Sequence, residues 1–232
     1  MSTPTLILLP GQLCDSALWT AQVAALADIA EIHVADLTLD DTVEAMAERV
    51  LAGAPPRFAV CGLSLGGYVA FEIVRRAAGR VTHLGLINTS ARPDAVDRSA
   101  ERQRGVRAAR IGTFKGVTAH FLPSILHPAH AADPKMAAVV LAMTERVGRV
   151  AFEKQQNAAI LRPDCRPLLA GIRCPTLVVG GAQDQITPSA LQAEIAIDIP
   201  DARLEILDPC GHLAPIEQAD SVNRLMRVWL AS

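Results

Sequence analysis

Gly62, Ser64 and Gly66 stand two apart in the run CGLSLGG (61–67), which follows the apolar stretch RFAV and precedes the helical pattern YVAFEIVRRA. A serine between a buried strand and a helix is forced outward on a sharp turn. Side chains at the two flanking positions would collide with strand and helix, and glycine removes both collisions. Ser64 is therefore a candidate nucleophile. The helix behind it offers free N–H groups and a positive dipole end, which favour negative charge developing on a bound carbonyl oxygen. The bland reading of the same run is a strand-to-helix turn in which the serine only caps the helix.

A nucleophilic serine needs a base, and of the six histidines His212, in LDPCGHLAPIEQ, lies just beyond the last strand pattern. His33 and His83 fall in strand patterns, and His120, His127 and His130 in a helical segment. The HPAH run at 127–130 has no third ligand nearby and Pro128 interrupts helical spacing, so no metal is expected there. The base in turn needs an acid to hold its tautomer. Asp184, in TLVVGGAQDQITP, follows another strand pattern at the same edge. Asp208 and Glu217, close to His212 in sequence, and Asp94, beyond the strand ending at Asn88, are alternatives for that acid. For an oxyanion hole, Leu65 supplies one backbone N–H directly after Ser64, and Gln12 in LLPGQLCD supplies the other.

These residues need elements to position them. TLILLP, EIHVADL, RFAVCG, THLGLIN, TLVVGG and RLEILD read as strands, rich in Ile, Leu and Val. Helical patterns lie between them: DSALWTAQVAALAD with caps at Asp15 or Ser16, DDTVEAMAERVLAG ending at Gly53, and GGYVAFEIVRRAAG ending at Gly79. Apolar strands linked by crossover helices imply a mostly parallel sheet covered on both faces. The alternation breaks once, over 91–172, where SAERQRGVRAARIG, FKGVTAHFLPSIL and DPKMAAVVLAMTERVGRVAFEKQQNAAIL carry helical spacing. The expected organisation is a core of residues 1–90 and 173–232 with a helical lid inserted at 91–172.

The ordered set LPGQL, GLSLGG, GAQDQITP and CGHLAPIEQ resembles the α/β-hydrolase superfamily over nearly the whole chain, with serine, aspartate and histidine in the family's order. The resemblance implies Ser64 as nucleophile, His212 as base, Asp184 as orienting acid, and the backbone N–H groups of Gln12 and Leu65 as the oxyanion hole. Two departures stand out. Pro10-Gly11 replaces the family's frequent His-Gly, which leaves the backbone donor one residue later in place. The chain also begins with the oxyanion-loop strand, whereas relatives usually have two strands before it. An α/β fold with a roughly six-stranded sheet, truncated at the N-terminus, is the expectation, with the strand near 31–37 at an edge that a second copy or a loop would cover.

The expected activity is cofactor-free hydrolysis of a small-to-medium carboxylic ester through an acyl-enzyme. The same triad also serves lactone, thioester or C–C bond hydrolysis, perhydrolysis or lyase chemistry. A non-catalytic small-molecule receptor is the alternative from another class, and an intact triad speaks against it. The 232 residues are half hydrophobic with a formal net charge of −2 and no run of like charges, which excludes a nucleic-acid footprint or a polybasic membrane anchor. Five cysteines without CxxC spacing read as reduced thiols. With no signal-peptide pattern and no apolar stretch long enough to span a bilayer, the expected setting is the cytoplasm, as monomer or homodimer. No Arg or Lys cluster adjoins the four catalytic loops in sequence, so an uncharged substrate is expected, unless Arg104, Arg107 or Arg162 turns inward.

Overall fold

The computed structural model describes residues 3–111, 114 and 116–232. The expected lid segment thus contains three positions, 112, 113 and 115, that lie outside the described residues.

All six expected strands form: β1 (Thr5–Leu9), β2 (Glu31–Val34), β3 (Phe58–Leu63), β4 (Val81–Ile87), β5 (Thr176–Gly181) and β6 (Arg203–Leu207). They pair entirely in parallel in the order β2-β1-β3-β4-β5-β6. The chain leaves β1 toward β2 and leaves β3 toward β4, in opposite directions. The carboxyl ends of β1 and β3 therefore flank the topological switch point, where a crevice opens in a sheet of this kind. The loops after these two strands carry Gln12 and Ser64.

The helices are α1 (Thr20–Leu26), α2 (Val43–Gly53), α3 (Leu65–Ala77), α4 (Val96–Arg110), α5 (Leu122–Ile125), α6 (Pro128–Ala131), α7 (Pro134–Leu161), α8 (Arg166–Leu169), α9 (Ser189–Asp198), α10 (Ala214–Glu217) and α11 (Ala219–Leu230). Asp15 accepts a hydrogen bond from the Ala17 N–H and starts a short 3-10 turn before α1. Pro128 begins α6 rather than interrupting helical spacing, because a first-turn residue needs no N–H donor. Gly148, at φ 72°, breaks α7.

Alternate residues of the four central strands, β1, β3, β4 and β5, feed two cores. Leu6, Leu8, Cys61, Leu63 and Val179 face one cluster with Trp19, Leu26, Met226 and Trp229; Ile7, Leu9, Val60, Leu84 and Val178 face the other with Met46, Phe71 and Ile195. Strands apolar on both faces can be satisfied only by helices on both faces. The segment between β4 and β5 enters both cores, through Leu122, Leu126, Val140 and Met143 on one side and Ala158, Ala159 and Leu169 on the other. β2 lies at an edge of the sheet, as its position in the sequence implies, and exposes Glu31 and His33, 3.2 Å apart. Charge on an edge strand opposes pairing with another strand.

Candidate active site

Ser64 ends β3 and precedes α3 with φ 53° and ψ −110°. Such a backbone is strained for a residue with a side chain and persists only where its surroundings over-determine it. The surroundings do: the Ser64 N–H donates to the Ile87 carbonyl at 3.0 Å, and its carbonyl accepts from Thr89 Oγ1 at 2.8 Å. A Cβ on Gly62 would fall on the Gly66 carbonyl, and one on Gly66 would fall on the Leu9 carbonyl. Both glycines are thus required by close backbone approach, as the spacing implies.

His212 and Asp184 meet although 28 residues separate them. Nδ1 of His212 lies 2.8 Å from Asp184 Oδ2, with both side chains buried. Asp184 is the hub of a larger network. Its Oδ2 also accepts from Asn88 Nδ2 at 2.7 Å and Thr187 Oγ1 at 2.6 Å, and its Oδ1 accepts from the N–H groups of Ile186 at 2.8 Å and Thr187 at 3.0 Å. Burial alone would raise the pKa of this carboxyl. The charge of His212, its hydrogen bond and those of Thr187 outweigh burial and hold it at about 2. With Nδ1 engaged, Nε2 of His212 is the ring nitrogen left for proton transfer.

The alternative acids are engaged elsewhere. Asp208 accepts from Gln183 Nε2 at 2.8 Å, and Asp94 pairs with Arg102 at 2.6 Å and Arg162 at 2.5 Å. Glu217 receives the N–H groups of His127 at 2.7 Å, Gly211 at 3.0 Å and Leu213 at 3.0 Å, together with His130 Nδ1 at 2.9 Å. It therefore shapes the loop on either side of His212 and ties that loop to α6. His127 and His130 serve this docking.

Ser64, His212 and Gln12 line one cavity of about 140 Å³, whose apolar wall includes Val117, Ile125, Val140, Phe152, Ile186 and Leu213. Leu65 is the first residue of α3, where an N–H has no partner within the helix. Of the apolar side chains of the insertion, Ile125 and Phe152 line the cavity, while Leu122, Leu126 and Met143 are buried in the core and Phe121 is exposed. Cys14 also lines the cavity, but burial pushes its thiol up to about 12 and raises Cys61 and Cys210 too, so none is a ready thiolate.

The premise of an uncharged surrounding fails. Arg98 and Arg102 of α4 line the cavity, and Arg162 turns inward behind them, while Arg104 and Arg107 stay exposed. These arginines come from the insertion and not from the catalytic loops, so closeness in sequence gave no sign of them. The contacts of Asn88 and Thr187 with Asp184, and the anchoring of the His212 loop by Glu217, which the sequence offers only as an alternative acid, are what sequence reasoning missed. Position was the available signal for Asn88, which directly follows β4 at the same sheet edge.

With strand order, sharp serine turn and the Asp184–His212 pair together, the fold class is defined, and the sequence model of the alpha/beta hydrolase family matches residues 6–225. The chain belongs to that family. Among its relatives is the pimeloyl-[acyl-carrier protein] methyl ester esterase of Aromatoleum aromaticum, 29% identical over 91% of this chain and 92% of that protein. Two solved structures share the fold closely. A thermophilic esterase from Thermogutta terrifontis has a TM-score of 0.89 at 28% identity, covering 99% of this chain and 91% of the other. An enol-lactonase from Burkholderia xenovorans has a TM-score of 0.89 at 24% identity, covering 100% and 92%.

Proposed function

We propose that this protein is a serine hydrolase of small carboxylic esters in which Ser64 is the nucleophile, His212 the general base and acid, and Asp184 the group that orients His212. Ser64 Oγ attacks the ester carbonyl carbon and its proton passes to His212 Nε2. The resulting oxyanion is received by the backbone N–H groups of Gln12 and Leu65. Collapse of the tetrahedral intermediate breaks the C–O bond, and the alcohol leaves with the proton from His212. Water then adds to the acyl-Ser64 carbonyl, gives a proton to His212, and the acid departs as Ser64 regains its hydrogen. The observation carrying this reading is the buried 2.8 Å contact between His212 and Asp184 beside a strained serine in the same cavity. The esterase activity named for relatives at similar length supports the ester class. The helical segment 91–172 acts as the lid, since Val117, Ile125, Val140 and Phe152 from it wall the cavity and limit water.

An organophosphonate should label one serine per chain, mapped by mass spectrometry to Ser64. Hydrolysis of p-nitrophenyl butanoate should vanish in Ser64→Ala and fall nearly as far in His212→Ala, because members of such a unit do not contribute additively. Labelling or turnover that survives in Ser64→Ala overturns the assignment.

A further inference from the structure

One end of the cavity is cationic. Asp94 is shared by two guanidinium groups, Arg102 at 2.6 Å and Arg162 at 2.5 Å, and all three side chains are at most 10% exposed. Among the described residues no second carboxylate bonds either arginine, so this buried cluster holds two positive charges against one negative. Arg162 is committed away from the cavity: its Nε donates to the Arg92 carbonyl at 3.0 Å, and its guanidinium lies 4.2 Å from the centre of the Tyr68 ring. The surplus charge therefore reaches the cavity through Arg102. Arg98 adds a second guanidinium to the lining, paired only with the exposed Glu101, and an exposed pair of this kind exchanges readily for a better anion. Among the described residues no carboxylate lines the cavity.

Gln12 supplies the third group. Arg102 Nη1 donates to Gln12 Oε1 at 3.2 Å and to Gln156 Oε1 at 2.8 Å. A guanidinium has only donors, so it fixes which end of the Gln12 amide is oxygen and leaves Nε2 on the other side. That Nε2 is buried without a hydrogen-bond partner. A buried amide donor without an acceptor costs free energy that a bound acceptor returns. The same residue carries the backbone N–H assigned above to the oxyanion hole, so its side chain reaches a substrate group only a few bonds from the scissile carbonyl.

We infer that Arg98, Arg102 and the Gln12 amide form a subsite for a carboxylate carried by the substrate, so that the preferred ester is that of a short dicarboxylic or similarly anionic acid. This inference rests on Ser64 being the nucleophile. The acyl part of the substrate must be short, because Gln12 carries both the subsite amide and the backbone N–H placed against the scissile carbonyl. The earlier expectation of a neutral substrate is reversed by groups that only the fold brings to the site.

The test compares kcat/KM for p-nitrophenyl hemisuccinate and p-nitrophenyl butanoate, which share chain length and differ in the terminal carboxylate. The expected ratio favours hemisuccinate by about tenfold or more, the effect of one charge-assisted hydrogen bond. Arg98→Gln and Arg102→Gln should each lower that ratio, and free succinate should inhibit the wild type competitively and each variant more weakly. Arg98 is on the surface, so Arg98→Gln keeps the test decisive if Arg102→Gln does not fold. A wild-type ratio at or below one, or a ratio unchanged in a folded Arg98→Gln, overturns the inference while butanoate turnover leaves the esterase reading standing. Absence of turnover on both esters, with no labelling of Ser64, would instead sink the esterase reading itself.

Discussion

Asp184 accepts five hydrogen bonds, from His212, Asn88, Thr187 twice and Ile186, and this concentration of donors keeps it ionised inside the protein. Its folded pKa, about 2, lies below the ordinary aspartate value of 3.8. A carboxyl depressed by folding contributes stability that is present above its unfolded pKa and lost as pH falls through the folded one. The window here runs from about pH 4 down to about pH 2, and the contribution is about 2 kcal/mol. Urea midpoints measured across that window should fall more steeply for wild type than for Asp184→Asn. Equal slopes in the two proteins would show that Asp184 titrates normally in the fold.

At the scale of elements, the loop between β6 and α10 has to hold His212 against a helical insertion that arrives from far away in the chain. Glu217 solves this by accepting three backbone N–H groups and His130, while the His212 N–H donates to the Ile125 carbonyl at 2.7 Å. Glu217→Ala strands three backbone donors, those of His127, Gly211 and Leu213, all of which bond the same wholly buried carboxylate. Each unsatisfied donor costs about 1–3 kcal/mol, so a loss of about 3 kcal/mol or more in urea unfolding is expected, with kcat reduced because the His212 loop loosens. A Glu217→Ala protein of wild-type stability would refute this account. A second restraint acts on the oxyanion loop, where the Leu13 N–H donates to Gln155 Oε1 of α7 at 2.9 Å and Gln155 Nε2 donates to the Leu37 carbonyl at 3.2 Å.

The molecule as a whole has two cores separated by one sheet, and the insertion contributes to both. An insertion bound this way has no core of its own large enough to survive alone, so it should unfold together with the sheet. Trp19 and Trp229 report on one core, and far-UV circular dichroism reports on all helices. Denaturation curves followed by tryptophan fluorescence and by circular dichroism are expected to coincide. A separate early transition in circular dichroism would identify the insertion as an independent unit.

Much of this arrangement was legible in the chain because it depends on local sterics and pattern. Gly62 flanks Ser64 for a reason confined to one turn, Gly66 because the neighbouring strand's Leu9 carbonyl passes against it, the apolar runs of the four central strands are covered on both faces, and Ser64, Asp184 and His212 each follow a strand end. The candidate acids illustrate the limit. Asp184 is the carboxylate best placed by its strand end, but Asp94, Asp208 and Glu217 stay open as alternatives until the assembled sheet sets Asp184 against His212 and assigns Asp94 to two arginines and Glu217 to backbone donors. The cationic end of the cavity was invisible for the same reason. Arg98 and Arg102 sit on α4, far in sequence from the catalytic loops, and they join Gln12 around one cavity only because α4 packs on α7. Sequence alone determined the sharp serine turn and the parallel sheet, which arise from short-range sterics and the burial of apolar runs. The tertiary structure decided which carboxylate meets His212 and the charge around the cavity, because those depend on side chains far apart in the chain being desolvated together.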